Sequence, residues 1–180
     1  RVRYENNLPA EVSGKVAVRT GAVAFGSGTF LKNTFKATGY SFAYWAADPA
    51  GEQKIAASGK GLYDEMSEEY FRAVLTEGTG KGLTATLYAV WTPVVYTWLY
   101  DENGDGSMVE EACTMAELLA EGLRVPAAQN GYRFVGWYRY KTDKNGVVAL
   151  DARGKPVRTK VRVEKPLAAS LALYGEWELL

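Results

Sequence analysis

The chain has 180 residues, 47% of them hydrophobic and 23% charged, which is a globular composition large enough for one sizeable domain or two small ones. Lys+Arg and Asp+Glu are equal at 21 each, a balance that argues against nucleic acid or an anionic membrane as the main partner. Histidine is absent and cysteine occurs once, which removes the commonest general base, the usual catalytic triad, imidazole-based zinc sets and any internal disulfide.

In chain order, RVRYE at Arg1–Glu5 reads as an opening strand. GYSFAYW at Gly39–Trp45 reads as a second, with Tyr40, Phe42 and Tyr44 on one face and Gly39 allowing the positive φ of an entry turn. DEMSEEYFRAVLTEG at 64–78 carries Met66, Tyr70, Phe71, Val74 and Leu75 at helical spacing, with Gly78 as its stop. TATLYAVW at 84–91 alternates Leu87, Ala89 and Trp91 with Tyr88 and Val90, the period of a strand, and Pro93 then interrupts the pattern. TMAELLAEG at 114–122 predicts a helix with a Thr114/Glu117 capping box, a buried side of Met115, Leu118 and Leu119, and Gly122 as its stop. Cys113 has no histidine to activate it and reads as a small core residue.

Three short stretches invite functional readings. In DENGDGSMVEEA, Asp101, Asn103, Asp105 and Gly106 are spaced like the first half of a calcium loop, but the twelfth position is Ala112 instead of a bidentate Glu. Asn103-Gly104 is a turn signal without any metal. FGSGTF at 25–30 and GTGKG at 78–82 are glycine-rich, yet the latter lacks phosphate-loop spacing and precedes a strand, so it reads as a turn. RGKPVRTKVRVEK at 153–165 concentrates six basic residues against one acidic; the valines punctuating it favour a solvated strand face or hairpin over an anion site.

The chain also repeats itself. GYSFAYW recurs 92 residues on as GYRFVGW from Gly131, TLYAVW recurs 86 residues on as ALYGEW from Ala172, and VRYENN recurs 96 residues on as WLYDEN from Trp98. Three ordered matches with slowly changing offset imply two copies of one unit, residues 1–92 and 93–180. Each is expected to be a small α+β domain, a mixed sheet of about four strands with one short helix. The helix falls at a different place in each copy.

An opening Tyr-Asx strand, a central GYxFxGW and a closing LYAxW resemble the Listeria/Bacteroides repeat, or internalin B-repeat, of bacterial surface proteins. The first copy carries it on Tyr4, Asn6, Phe35, Gly39, Tyr40, Phe42, Trp45, Leu87, Tyr88, Ala89 and Trp91. The second does so on Tyr100, Asn103, Gly131, Tyr132, Phe134, Gly136, Trp137, Leu173, Tyr174 and Trp177. Tyr44 departs from the usual glycine, and Gly175 from alanine. The resemblance implies two tandem β-grasp-like domains in a secreted module attached to a Gram-positive cell surface or wall, serving as spacer or adhesive without catalytic activity. The partner would be a host or cell-wall protein or glycan, without cofactor, nucleic acid or membrane insertion, and the excised pair is expected to be a monomer. A chain that opens in RVRYE and ends after GEWELL is itself expected to be a piece of a longer protein.

The rival reading is a carbohydrate-binding module of an exported glycosidase, which needs exposed coplanar aromatic rings. The tryptophans of the repeat motifs are expected in the core, whereas Trp98 stands outside those motifs and is expected to be exposed. Trp98, Tyr138 and Tyr140 are therefore the candidate ligand contacts, the two tyrosines alternating with Arg139 and Lys141 on an expected strand edge. The acidic pairs Glu68-Glu69 and Glu110-Glu111 are adjacent in sequence and do not share a face as acid/base catalysis requires.

Overall fold

The computed structural model describes residues 1–24, 28–78, 82–163 and 170–180. FGSGTF and GTGKG therefore lie partly outside the described residues, as does the end of the basic run. The chain divides into two compact units, Arg1–Val94 and Val95–Leu180, each built on a mixed sheet.

In the first unit β1 (Val2–Glu5), β2 (Val18–Gly21), β3 (Tyr40–Ala46), β4 (Lys54–Ala56), α1 (Glu65–Ala73), β5 (Thr76–Glu77) and β6 (Leu83–Pro93) follow one another. The sheet order is β2-β1-β6-β3-β4, with β5 paired to the start of β6. All pairings are antiparallel except β1 with β6, which run parallel from Val2↔Ala85 to Glu5↔Tyr88. The second unit comprises β7 (Val95–Asp101), β8 (Met108–Thr114), α2 (Met115–Glu121), β9 (Tyr132–Tyr140), β10 (Arg158–Lys160) and β11 (Leu171–Leu179). Its order is β8-β7-β11-β9-β10, again with first and last strands parallel, from Trp98↔Leu171 to Asp101↔Tyr174. Each main path thus has five strands where the sequence reading gave about four, because the short edge strands β4 and β10 carry no apolar alternation of their own.

Period two works in β6, where Ala85, Leu87 and Ala89 are buried and their neighbours are not. It fails in β3. Phe42 pairs with Trp91 and Tyr44 with Val90, so Ala43 is an unpaired bulge residue and the side chains beyond it change faces. Phe42 and Trp45, three residues apart, consequently pack on each other at 4.9 Å between ring centroids, while Tyr44 turns away and donates its hydroxyl to the Gly51 carbonyl. The expectation that Tyr40, Phe42 and Tyr44 share a face is corrected by that bulge. β9 repeats it at Val135, where Gly136 takes a φ of +147 and Phe134 meets Trp137 at 5.1 Å. Gly39 and Gly131 enter these strands with φ of +80 and +78, as the sequence predicts.

α2 forms as expected: Thr114 accepts from the Glu117 backbone, Glu117 accepts from Thr114, Met115 and Leu118 are buried, and Gly122 caps the end. α1 differs. Asp64 is its N-cap and Val74 its C-cap, so the helix stops short of Gly78, and Thr76–Glu77 become strand. Its buried positions are Ser67 and Phe71, with Tyr70 and Val74 packed beside them, a stripe at i, i+3, i+4 and i+7 that leaves Met66 exposed.

Candidate functional site

Each unit has one aromatic centre, assembled from the repeat motifs. In the first, the Tyr4 ring meets Trp45 at 4.8 Å, and Phe42 bridges Trp45 to Trp91. In the second, Tyr100 meets Trp137 at 4.8 Å, and Phe134 bridges Trp137 to Trp177. The polar edges are satisfied identically. Trp45 donates to the Leu31 carbonyl at 3.0 Å while the Leu31 N–H donates to the Tyr4 hydroxyl. Trp137 donates to the Arg124 carbonyl at 2.6 Å, and the Arg124 backbone holds the Tyr100 hydroxyl. Trp91 donates to the Asn6 carbonyl and Trp177 to that of Glu102, each of which directly follows the first strand of its unit. Burial pushes Tyr100 up to about 12 against the opposing Arg124 hydrogen bond, and it raises Tyr4 as well. Trp45 and Trp137 are buried; Trp91 and Trp177 are half-buried at the sheet's rim.

The opposite face of the second sheet carries the surface candidates. Tyr138, Tyr140, Tyr174 and Arg158 meet the Asp101–Gly106 loop around an open recess of about 430 Å³. Tyr138 pairs across strands with Tyr174, and Arg158 with Tyr140. The Arg158 guanidinium lies 4.8 Å from the centre of the Tyr138 ring and pairs with Glu176. Glu176 in turn accepts from the Tyr138 hydroxyl, a hydrogen bond that lowers the Glu176 pKa and raises that of Tyr138. Arg158, Glu176 and Tyr138 thus bind one another. Tyr140 packs on Tyr174 at 4.6 Å with planes 52° apart. That tilt, and the guanidinium over Tyr138, leave no pair of coplanar open rings among these residues.

Two sequence expectations are corrected. Trp98 is fully buried, on the core side with Tyr100 and Met115, because its register matches Val2 of the first unit and not the rim; it does not join the two tyrosines. β9 is an interior strand, so Tyr138 and Tyr140 do not lie at an edge; β10 supplies the edge, with Arg158 and Lys160 on it. The first unit has a parallel arrangement, Lys54 of β4 standing 4.8 Å over the Tyr44 ring of β3.

The Asp101 loop is a turn closed by its own carboxylates. Asp101, 3% exposed, accepts from Gly104 N–H on one oxygen and Gly106 N–H on the other; Asp105 accepts from Ser107 N–H, which lowers its pKa. Asn103 accepts from Gln129. The same Asp-x-x-Gly turn recurs at Asp48, Asp143 and Asp151, each carboxylate accepting downstream N–H groups and each glycine at positive φ. Sequence reasoning missed this fourfold pattern, which was visible as DPAG, DENG, DKNG and DARG. Among the described residues no group of three or more His, Cys, Asp or Glu is placed to hold a metal ion. Cys113 is half-buried against the second core, its thiol pKa raised by burial and then by Glu111, Glu117 and Glu121. Among the described residues no helix is long and apolar enough to cross a membrane, which says nothing of β-barrels.

No family model matches the chain, and no solved structure matches it. A protein of Evansella cellulosilytica described as a "Putative membrane protein" is 28% identical over 142 residues. The alignment covers 77% of this chain but 18% of that protein, so the chain spans under a fifth of the relative it matches.

Proposed function

We propose that the chain is a tandem pair of β-grasp-like repeats of the Listeria/Bacteroides type, acting as a non-enzymatic extracellular stalk or adhesive module of a bacterial surface protein. The observation that carries this reading is the recurrence, in both units, of one strand order around a parallel first–last pair, with the aromatic centre built from the motif residues. The β-grasp assignment has its best support in the second unit, where α2 falls between the second and third strands and buries Met115 and Leu118 against the sheet. In the first unit, Phe30 and Leu31 of the segment before β3 pack in the core instead. A small unit whose motif tryptophans are committed to the core and its rim suits a spacer better than a catalyst.

The test is antibody labelling of the native host. Antibodies raised against the pair should label intact, unpermeabilised cells. Labelling that appears only after permeabilisation would overturn the extracellular reading.

A further inference from the structure

We propose that each unit is a mechanical clamp: tension along the chain is met in shear by its parallel first–last strand pair, and the closing tryptophan ties that pair together. The proposal rests on the stalk reading for the source of the load, but the clamp itself follows from topology. In the first unit the chain enters through β1 and leaves through β6, hydrogen-bonded parallel over Val2↔Ala85 to Glu5↔Tyr88. Pulling the start of β1 away from the end of β6 slides the two strands along their axes. The ladder bonds lie across that motion, so the four paired positions must yield together. β7 and β11 repeat the geometry over four pairs, Trp98↔Leu171 to Asp101↔Tyr174. A hairpin such as β1–β2, loaded at its open end, yields one rung at a time. Both clamp pairs also lie inside their sheets, flanked by β2 and β3 in one unit and by β8 and β9 in the other.

The tryptophan ties extend the ladder beyond its last backbone rung. Trp91 is three residues past Tyr88 on β6, and its indole N–H donates at 2.7 Å to the carbonyl of Asn6, one residue past the end of β1. Trp177 is three residues past Tyr174 and donates at 2.6 Å to Glu102, one residue past the end of β7. Asn7 adds a bond from its side-chain amide to the Ala89 carbonyl in the first unit. Between β6 and β7 lies only Val94, so tension leaving one clamp reaches the next through a single intervening residue.

The experiment is single-molecule force spectroscopy on the full chain held at its two ends. Two unfolding events are expected, each releasing roughly 300 Å of contour for a unit of this length at about 3.5 Å per residue. Their forces should exceed, by about twofold or more, the force needed to peel the β1–β2 hairpin in the same chain held at Arg1 and at an Ala22→Cys handle, with Cys113→Ser removing the competing thiol. Trp91→Phe should lower one of the two peaks and Trp177→Phe the other. End-to-end forces at or below the peeling force overturn the clamp, and peaks unmoved in both folded variants overturn the tie. Should a Phe variant fail to fold, the comparison of pulling directions still decides the clamp. A low force would leave antibody labelling of intact cells untouched, so failure of the clamp and failure of the surface reading are separable.

Discussion

Trp137 donates its indole N–H to the backbone carbonyl of Arg124 at 2.6 Å, so the residue that anchors the second core does so through its main chain and not its side chain. The corresponding residue of the first unit is Leu31, which makes the same bond to Trp45. Trp137→Phe removes the donor, leaves that carbonyl without its partner in a partly buried setting and shrinks the ring. The expected cost is about 2 kcal/mol, a fall of roughly 10 °C in melting temperature for a unit of this size. Arg124→Ala keeps the carbonyl and loses only the partly exposed pair with Glu102, so it should cost clearly less than the tryptophan change. Thermal melts followed by circular dichroism check the order; an arginine variant as damaging as the tryptophan one would refute the main-chain account.

Tyr100 gives an alkaline signature. Its hydroxyl is held protonated by burial, with a pKa of about 12 against an ordinary value of 10.0. A raised acid binds its proton more tightly in the folded state, so the associated stability is present below the unfolded value and is lost as pH rises from 10 toward 12. Melting temperature should therefore decline over that interval, and Tyr100→Phe should flatten part of the decline. Identical slopes in the variant and the parent would sink the assignment.

At the acid end the sign reverses. Hydrogen bonds from Ser67 hold Asp64 below the ordinary carboxylate value, and hydrogen bonds from Thr114 do the same for Glu117. For Asp48, burial pulls upward, but N–H groups led by Gln53 outweigh it, and the Tyr138 hydroxyl lowers Glu176. Groups depressed on folding contribute stability above their unfolded value and lose it as pH falls through the folded one. With no histidine in the chain, melting temperature should stay level from about pH 8 to 5 and fall below about pH 4. A melt at pH 3 that matched one at pH 7 would contradict this. These carboxylates are largely exposed, so the loss should be shallow.

What could be read from the sequence follows from where the information sits. The α2 helix announced itself because its capping box, apolar stripe and terminal glycine are all side-chain signals within nine residues. Neither bulge was read from the sequence, where alternation put Tyr40, Phe42 and Tyr44 on one face; the extra residue shows only in the pairing of Phe42 with Trp91 and Tyr44 with Val90. The burial of Trp98 was foreshadowed by its alignment with Val2 and by its alternation with Tyr100. The Leu31 and Arg124 anchors were hidden, because a backbone carbonyl leaves no residue preference behind. The recess around Tyr140 joins β9, β10, β11 and a loop some 35 residues upstream, a meeting that only the strand order brings about.

The Asp101 loop yields the last prediction. Both of its carboxylate oxygens already accept backbone N–H groups, from Gly104 and Gly106, and the residue is almost fully buried. Its charge and shape are thus spent on holding the β7–β8 connection, beside the β11 strand that closes the sheet. Asp101→Ala should leave two N–H groups without their acceptor and cost about 2 kcal/mol, whereas Asp101→Asn, retaining one acceptor, should cost about half as much. Because a cation would have to displace those N–H groups, millimolar calcium should leave the melting temperature of the unmodified chain unchanged. A rise of several degrees would reinstate the loop as a cation site, since a ligand that binds only the folded state must raise the melting temperature.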